Sequence, residues 1–249
     1  MSKKRVVVGM SGGVDSSVTA LLLKQQGYEV IGLFMRNWEY GIKGSQCPNR
    51  IEFEDAKKVG ELIGIEVHGK DFVEEYRTKV FDVFLEGLKK GLTPNPDILC
   101  NREIKFNVFL NEAKKMGADM IATGHYAKIA KYEGHYVLDT PKDSSKDQSY
   151  FLHALSSEQL SHAMFPLGDL TKKEVREIAR EHNLPVSDKK DSTGICFIGN
   201  QRFDDFITQH LKAIPGDIID ENGKVIGKHK GLICYTLGQR KGIGLGGIK

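Results

Sequence analysis

Short apolar or β-branched runs at residues 5–9, 28–35 and 118–123 are separated by longer stretches whose apolar positions recur every three or four residues. The runs have the length of strands, and the stretches have the period of helices packed along one face. After the first run, Val14, Val18, Leu21 and Leu22 share a helical face, and Gly27 stands where a C-terminal cap belongs. Further helices are predicted over 52–62 (Ala56, Val59 and Ile63 inward), over 72–89 (Val73, Tyr76, Val80, Phe84 and Leu88 inward) and over 102–115. The alternation predicts an α/β fold built on a doubly wound parallel sheet.

From residue 127 the period changes. The stretch AKIAKYEGHYVLDT alternates around Glu133-Gly134 and predicts a β-hairpin added to the sheet. Thr171 and Glu174 have the spacing of a capping box, opening a helix with Val175, Ile178 and Ala179 inward that stops near Asn183, before Pro185. After residue 200, RFDDFITQHL predicts a short helix, and two β runs flank the Asn222-Gly223 turn. The expected organisation is an α/β domain over 1–200 and the start of a small β-rich domain over 201–249. The last stretch, GQRKGIGLGGIK, carries no closing strand or helix, as in a fragment or a naturally short form.

Composition narrows the class. Charged residues make up 28% and hydrophobic residues 40% of the 249 positions, and no apolar run approaches the roughly 20 residues of a membrane span. The N-terminal MSKKRVVVGM runs straight into a glycine-rich loop without a cleavage-like site, so a cytoplasmic protein is expected. Cys47, Cys100, Cys196 and Cys234 stand singly, with no C-x-x-C pair to form a zinc ribbon or a cluster, which fits a reducing compartment. A net charge of +3 neither requires nor excludes a nucleic-acid partner. The pairs Lys89/Lys90, Lys114/Lys115, Lys172/Lys173 and Lys189/Lys190 read as ordinary solvated faces.

The candidate chemistry begins in VVVGMSGGVDSSVTALLL. A Walker loop, G-x-x-x-x-G-K-[ST], carries a lysine for the β- and γ-phosphates, and the segment Gly9 to Ser17 has none. The other parts of an anion site are present: a strand end, Gly12 and Gly13 to expose backbone N–H groups, and the hydroxyls of Ser11, Ser16 and Ser17 at a helix N-terminus. Asp15 repels phosphate unless it caps the helix or holds magnesium, and both readings stay open. A glycine pair alone is compatible with a tight turn that binds nothing; S-G-G-x-D-S after an apolar strand is far more specific. It resembles the loop of the N-type ATP pyrophosphatases (PP-loop enzymes), which split ATP between the α- and β-phosphates. That resemblance implies adenylation of an acceptor oxygen.

Two cysteines have loop-type flanks. LTPNPDILCNREIKF places Asp97 and Cys100 in a proline-stiffened loop just before a helix, where a thiol has a lowered pKa unless it is a small buried hydrophobe. KDSTGICFIGNQRF places Cys196 after a polar, glycine-containing turn. In a nucleotide enzyme such a pair points to sulfur chemistry, one thiol carrying a persulfide and the other resolving it, with Cys47 and Cys234 as competitors.

The motifs GMSGGVDSS, TPNPDILCN, ATGHYA, KDQSYFL, STGICFIG and YTLGQRKGIG follow one another over essentially the whole chain, in the order found in tRNA-specific 2-thiouridylases of the MnmA type. The resemblance implies ATP- and magnesium-dependent 2-thiolation of the wobble uridine, position 34, of tRNA, with release of AMP and pyrophosphate. It implies ATP contacts from Gly9, Met10, Ser11, Gly12, Gly13, Val14, Asp15, Ser16, Met35 and Gly124. Cys196 would receive sulfur as a persulfide from a cysteine desulfurase or relay protein. Cys100 would be the nucleophile, with Asp97 as nearby acid or base and a Cys100–Cys196 disulfide forming in turnover. Asn95, Pro96 and Asp97 would meet the target base, and Lys146, Asp147 and Gln148 the tRNA. Members of the family continue past GIGLGG into a closing β-barrel, so weakened, salt-dependent tRNA binding is expected of a chain ending at Lys249.

Two rivals remain. A PP-loop synthetase or amidotransferase has no use for the two cysteines, and a non-catalytic nucleotide- or RNA-binding form fits the short C-terminus. An iron-sulfur thiolase needs clustered cysteines, which the sequence lacks.

Overall fold

The computed structural model describes residues 3–40, 47–191, 195–199 and 202–245. Ser192–Gly194, part of the turn expected before Cys196, and the last four residues of the glycine-rich end lie outside them. The chain divides into two compact units, Met1–Lys79 with Asp97–Thr193, and Val80–Pro96 with Gly194–Lys249.

In chain order, β1 (Arg5–Met10), α1 (Val14–Gln25), β2 (Glu29–Arg36), α2 (Pro48–Ile63) and β3 (Glu66–Asp71) alternate as the hydrophobic pattern requires. Helical winding continues through α3 (Val73–Tyr76), a π-helical turn Arg77–Phe81 and α4 (Asp82–Lys89). It resumes as α5 (Pro96–Leu99), a π-helical stretch Cys100–Val108 and α6 (Phe109–Lys115). There follow β4 (Met120–Ala122), β5 (Lys128–Tyr132), β6 (His135–Asp139), α7 (Ser149–Leu152), α8 (Ser157–Ser161), β7 (Ala163–Met164) and α9 (Lys172–Glu181).

Five strands make one parallel sheet in the order β3-β2-β1-β4-β7. Central β1 divides its side chains between two cores, as pleating demands. Val6, Val8 and Met10 pack with Val18 of α1, Val59 of α2 and Val175 of α9. Val7 faces the other way, onto Phe109 and Ala113 of α6 and Leu152 of α7. The sheet is therefore covered on both faces, the doubly wound arrangement that the alternation predicts. β3, EVHGKD, escapes prediction because as an edge strand it has little apolar side chain to bury.

Two expectations are corrected. The 127–140 hairpin forms, with Glu133 and Gly134 at φ of 48° and 82°, but β5 and β6 make a separate two-stranded sheet and do not extend the parallel one. Asp97 and Cys100 do not lie in a loop before a helix: Pro96 opens the helix, Asp97 is in its first turn, and Cys100 begins the π-helical stretch. Proline suits a first helical turn because its missing N–H has no partner there.

α9 is as the sequence requires. Thr171 and Glu174 complete the reciprocal capping box, and the helix ends at Glu181 before Asn183, which has a positive φ of 52°. In the second unit, Phe81 and Phe84 pack against Phe197, which meets Phe206 of α10 (Phe203–His210). β8 (Gly216–Ile219) and β9 (Val225–His229) pair around the Asn222-Gly223 turn, where the Asp220 carboxylate accepts from the N–H groups of Asn222 and Lys224.

Candidate functional site

In an open parallel sheet, ligands bind beyond the carboxyl ends of the strands where the winding reverses. Here the winding reverses between β1, which leads outward to β2 and β3, and β4 on its other side. The loops that leave β1 and β4 open a cavity of about 430 Å³ there, entirely within the first unit.

The loop Ser11–Gly13 turns the chain from β1 into α1. Ser11 N–H donates to Ser16 Oγ at 3.1 Å, and the Ser16 and Ser17 hydroxyls donate to Gly13 O at 3.3 and 2.7 Å. The serines therefore fix the loop's shape. Gly12 has a φ of +71°, and a Cβ there would lie 2.3 Å from Glu52 O on α2. Gly124, after β4, is also constrained: its Cβ would lie 2.8 Å from Asp15 C and 2.9 Å from Ser16 N. The loop after β1 closes on α2, and the end of β4 on the α1 N-terminus, only because these two residues lack a side chain.

Lysines from outside the loop reach the cavity. Lys105, Lys146, Lys172, Lys189 and Lys190 all line the cavity, against the carboxylates Asp15, Glu52 and Asp191. The excess of positive groups, above a helix N-terminus, describes a site for a polyanion. Lys172 and Lys189 correct the expectation of solvated lysine faces. The Lys172 side chain is 12% exposed, and its Nζ donates to both oxygens of Asp15 at 2.7 and 2.8 Å and contacts Asp191 Oδ1 at 2.8 Å. Lys189 Nζ donates to Gly12 O at 2.9 Å and to Asp55 at 2.8 Å, pinning the loop. One signal in the sequence was available: lysines at the first two positions of a helix oppose its dipole, so a predicted helix opening Lys172-Lys173 calls for nearby acids.

Asp15 does not cap α1. The N-cap is Gly13, without a side-chain hydrogen bond, and the Asp15 carboxylate accepts from Lys172 and from the Tyr126 hydroxyl at 2.9 Å. Among the described residues no group of three or more acidic, histidine or cysteine side chains is placed to hold a metal ion. The described carboxylates therefore form no all-protein metal cage, and a magnesium ion there would have to take most of its ligands from a bound polyphosphate.

Burial pushes the Tyr126 hydroxyl far up, reinforced by Asp15, so it stays a donor. Burial also lowers His125 well below its usual range, helped by the charge of Lys105, leaving a neutral imidazole bonded to Thr123 Oγ1 at 2.7 Å. Burial works to raise Asp191, but Lys172 and Lys146 outweigh it and hold the carboxyl below the usual range.

Of the residues expected at the nucleotide, Gly9, Ser11, Gly13, Val14, Asp15, Ser16, Met35 and Gly124 line the cavity. Met10 does not, its side chain being buried in the core, and Gly12 lies closed beneath Glu52. Lys146 and Gln148, expected at tRNA, also line it. Gln148 Oε1 accepts from Tyr126 N–H at 3.1 Å, while Asp147 accepts from Ser149 N–H at 2.8 Å and stands outside. Glu52, Lys105, Thr123, His125, Tyr126 and Asp191 were not singled out by sequence, although Thr123, His125 and Tyr126 lay within the quoted ATGHYA; Lys172, Lys189 and Lys190 were read only as solvated pairs.

The sulfur candidates stand apart from the lining. All four cysteines are thiols; Cys100 is buried and Cys196 exposed. Cys196 sits on a turn closed by Ile198 N–H to Ile195 O at 3.0 Å, next to the buried Phe197. Asn95 and Asp97 are half-buried and Pro96 buried. Burial pushes the Asp97 carboxyl up, opposed by the charge of Lys105. In a π-helix residues five apart are bonded in register, so the stretch from Cys100 brings Lys105 under Cys100 while Lys105 reaches the cavity.

Residues 4–200 match the model described as the tRNA methyl transferase HUP domain, and 204–249 the one described as the tRNA methyl transferase PRC-barrel domain. The chain is 91% identical over 246 residues to the tRNA-specific 2-thiouridylase MnmA 2 of Aliarcobacter butzleri, covering 99% of this chain and 67% of that protein. It is 54% identical to the tRNA-specific 2-thiouridylase MnmA of Nitrosomonas eutropha and 57% identical to that of Ralstonia pickettii, in each case over all of this chain and over 69% and 67% of the relative. No described helix is long and apolar enough to cross a membrane. A lysine-lined PP-loop cavity, two matching domain models in sequence and relatives this similar lead to one conclusion: the chain belongs to the MnmA family of tRNA-specific 2-thiouridylases.

Proposed function

We propose that this chain performs ATP-dependent 2-thiolation of the wobble uridine of tRNA, in two steps. In the first, the C2 oxygen of the uracil attacks the α-phosphorus of MgATP in the cavity, the bond to the β-phosphate breaks, and pyrophosphate leaves. The loop N–H groups at the start of α1 and the surrounding lysines stabilise the charge that develops on the phosphates. The adenylated oxygen can then depart as AMP, which a bare carbonyl oxygen cannot.

In the second step the outer sulfur of a Cys196 persulfide, delivered by an external sulfur donor, bonds to C2 as AMP leaves. Cys100 then attacks Cys196 Sγ, and the electron pair of the broken sulfur–sulfur bond goes to the sulfur now on the base. The product is 2-thiouridine and a Cys100–Cys196 disulfide, which an external dithiol reduces with two electrons. Asp97, its carboxyl raised by burial, is suited to handle a proton near the base. The uracil must be splayed out of its stack, which an unpaired anticodon nucleotide permits at modest cost. Thiols that must cycle between thiol and disulfide fit a reducing cytoplasm.

The observation that carries the reading is the shared helix. The helical stretch that holds Asp97 and Cys100 also carries Lys105 to the cavity, which supports a reading in which the acceptor and ATP are handled from one stretch of chain.

The test is to incubate the chain with MgATP, a persulfide donor and unmodified tRNA, digest the tRNA, and look for 2-thiouridine by mass spectrometry. Sulfur in place of oxygen is expected with the unaltered chain, and Cys100→Ser and Cys196→Ser should each lower the product by at least about 100-fold. Full activity in either variant excludes the two-cysteine mechanism. AMP formation on a small acceptor without tRNA thiolation would favour a synthetase.

A further inference from the structure

Lys172 is the residue whose placement the nucleotide reading alone does not explain. It occupies the first position of α9, where a cation opposes the helix dipole, yet its charged end is drawn back into the cavity and is nearly closed off from solvent. Its backbone is held twice. The Thr171–Glu174 capping box fixes the helix start, and Lys172 N–H donates to Asp143 Oδ2 at 2.9 Å. An arrangement this constrained aims one ammonium at one place, beside Asp15 in the first turn of α1.

Two of the neighbouring cations have other commitments. Lys189 holds Gly12 O and Asp55, and Lys146 contacts Asp191 at 3.2 Å. Asp191 also accepts from Arg176 at 2.8 Å, so it keeps two cationic partners when Lys172 turns away. Asp15 is the group that would repel an entering polyphosphate, and Lys172 bridges it through both oxygens.

We propose that Lys172 supplies, from a distant helix, the ammonium that the glycine loop lacks: it exchanges one oxygen of Asp15 for an oxygen of the β- or γ-phosphate and stabilises the departing pyrophosphate. Asp15 and Asp191 hold the ammonium in place before the nucleotide arrives. A lysine ammonium has three donors and no geometric demand, so it can keep one carboxylate oxygen while it takes a phosphate. The α-phosphate, by contrast, is left to the loop N–H groups.

This inference rests on the nucleotide reading, and the experiment separates the two. Equilibrium titrations of MgATP and of AMP are made into the full chain, without tRNA, for the unaltered protein, Lys172→Met and Lys172→Arg. AMP lacks the two outer phosphates and reports both folding and the integrity of the site. The expected result for Lys172→Met is MgATP binding weakened at least about tenfold with AMP binding changed less than about twofold, the size of one lost charge-assisted hydrogen bond. Lys172→Arg should recover MgATP affinity to within about threefold, since the charge is restored. Equal weakening of MgATP and AMP would make Lys172 a brace for Asp15 and overturn the proposal, as would unchanged MgATP affinity. If the unaltered chain bound AMP but not MgATP, the outer-phosphate site would fall while the adenosine site stood. If it bound neither, the nucleotide reading would fail together with the proposal.

Discussion

At the scale of single residues, the site depends on what is absent as much as on what is present. Gly124 brings its backbone against Asp15 and Ser16, so Gly124→Ala must push α1 from the end of β4 by a few tenths of an ångström or more. The expected cost is about 1–3 kcal/mol of stability, typical of overpacking, with at least about tenfold weaker MgATP binding; denaturant melts and a nucleotide titration check the two numbers. Gly12→Ala should be worse, because the added methyl meets a carbonyl at 2.3 Å and the backbone is left-handed. Residue types announced the loop's glycines and the two thiols with loop-type flanks. They did not announce Lys189, because a lysine pair is ordinarily solvated and the acid that draws it inward lies 134 residues away in sequence; for Lys172 the helix start called for acids nearby but could not name one 157 residues away.

At the scale of elements, α9 links stability to the site. Thr171→Ala removes the N-cap and should cost about 1 kcal/mol, measurable as a lower urea midpoint with unchanged slope. Because the same cap aims Lys172, the variant should also bind MgATP more weakly. Glu174 gives the element an acid limit. The hydrogen bond from Lys142, followed by those from Thr171, lowers its carboxyl to about 2. A depressed acid contributes stability above its unfolded value, about 4.3, and loses it as pH falls through the folded one. Glu174→Gln should therefore matter at pH 6 and cease to matter below about pH 2, which Tm-against-pH curves of both proteins would reveal. The capping box was legible because its chemistry is local. The π-helical stretch was not: apolar spacing that serves an α-helix serves a slightly wider turn almost as well, and packing of Ile104, Phe106 and Phe109 decides between them.

At the scale of the molecule, the sheet is the rigid frame against which the loops close. Ile121 is fully buried in β4 beside Val7 of β1, so Ile121→Ala should cost about 2–5 kcal/mol and be felt in the whole first unit. Nucleotide should act in the opposite sense. At a hundredfold excess over its Kd, MgATP should stabilise that unit by about 2.7 kcal/mol, and hydrogen exchange should slow in the first turn of α1, the loop that follows β4 and the first turn of α9, whose residues line the cavity. Unchanged exchange there would place the nucleotide elsewhere.

The sequence by itself determined the alternation of strands and helices, the glycine loop, the capped α9 and the two thiols with their flanks, because each is written in residue types a few positions apart. Tertiary structure alone decided the rest: that β5 and β6 stand as their own sheet, that a polar edge strand completes the parallel one, and that Cys100 sits in a helix rather than before it. It also decided where the loop's lysine comes from. Charge complementarity acts through space, and only the folded sheet brings Asp15 and Asp191 to either side of Lys172.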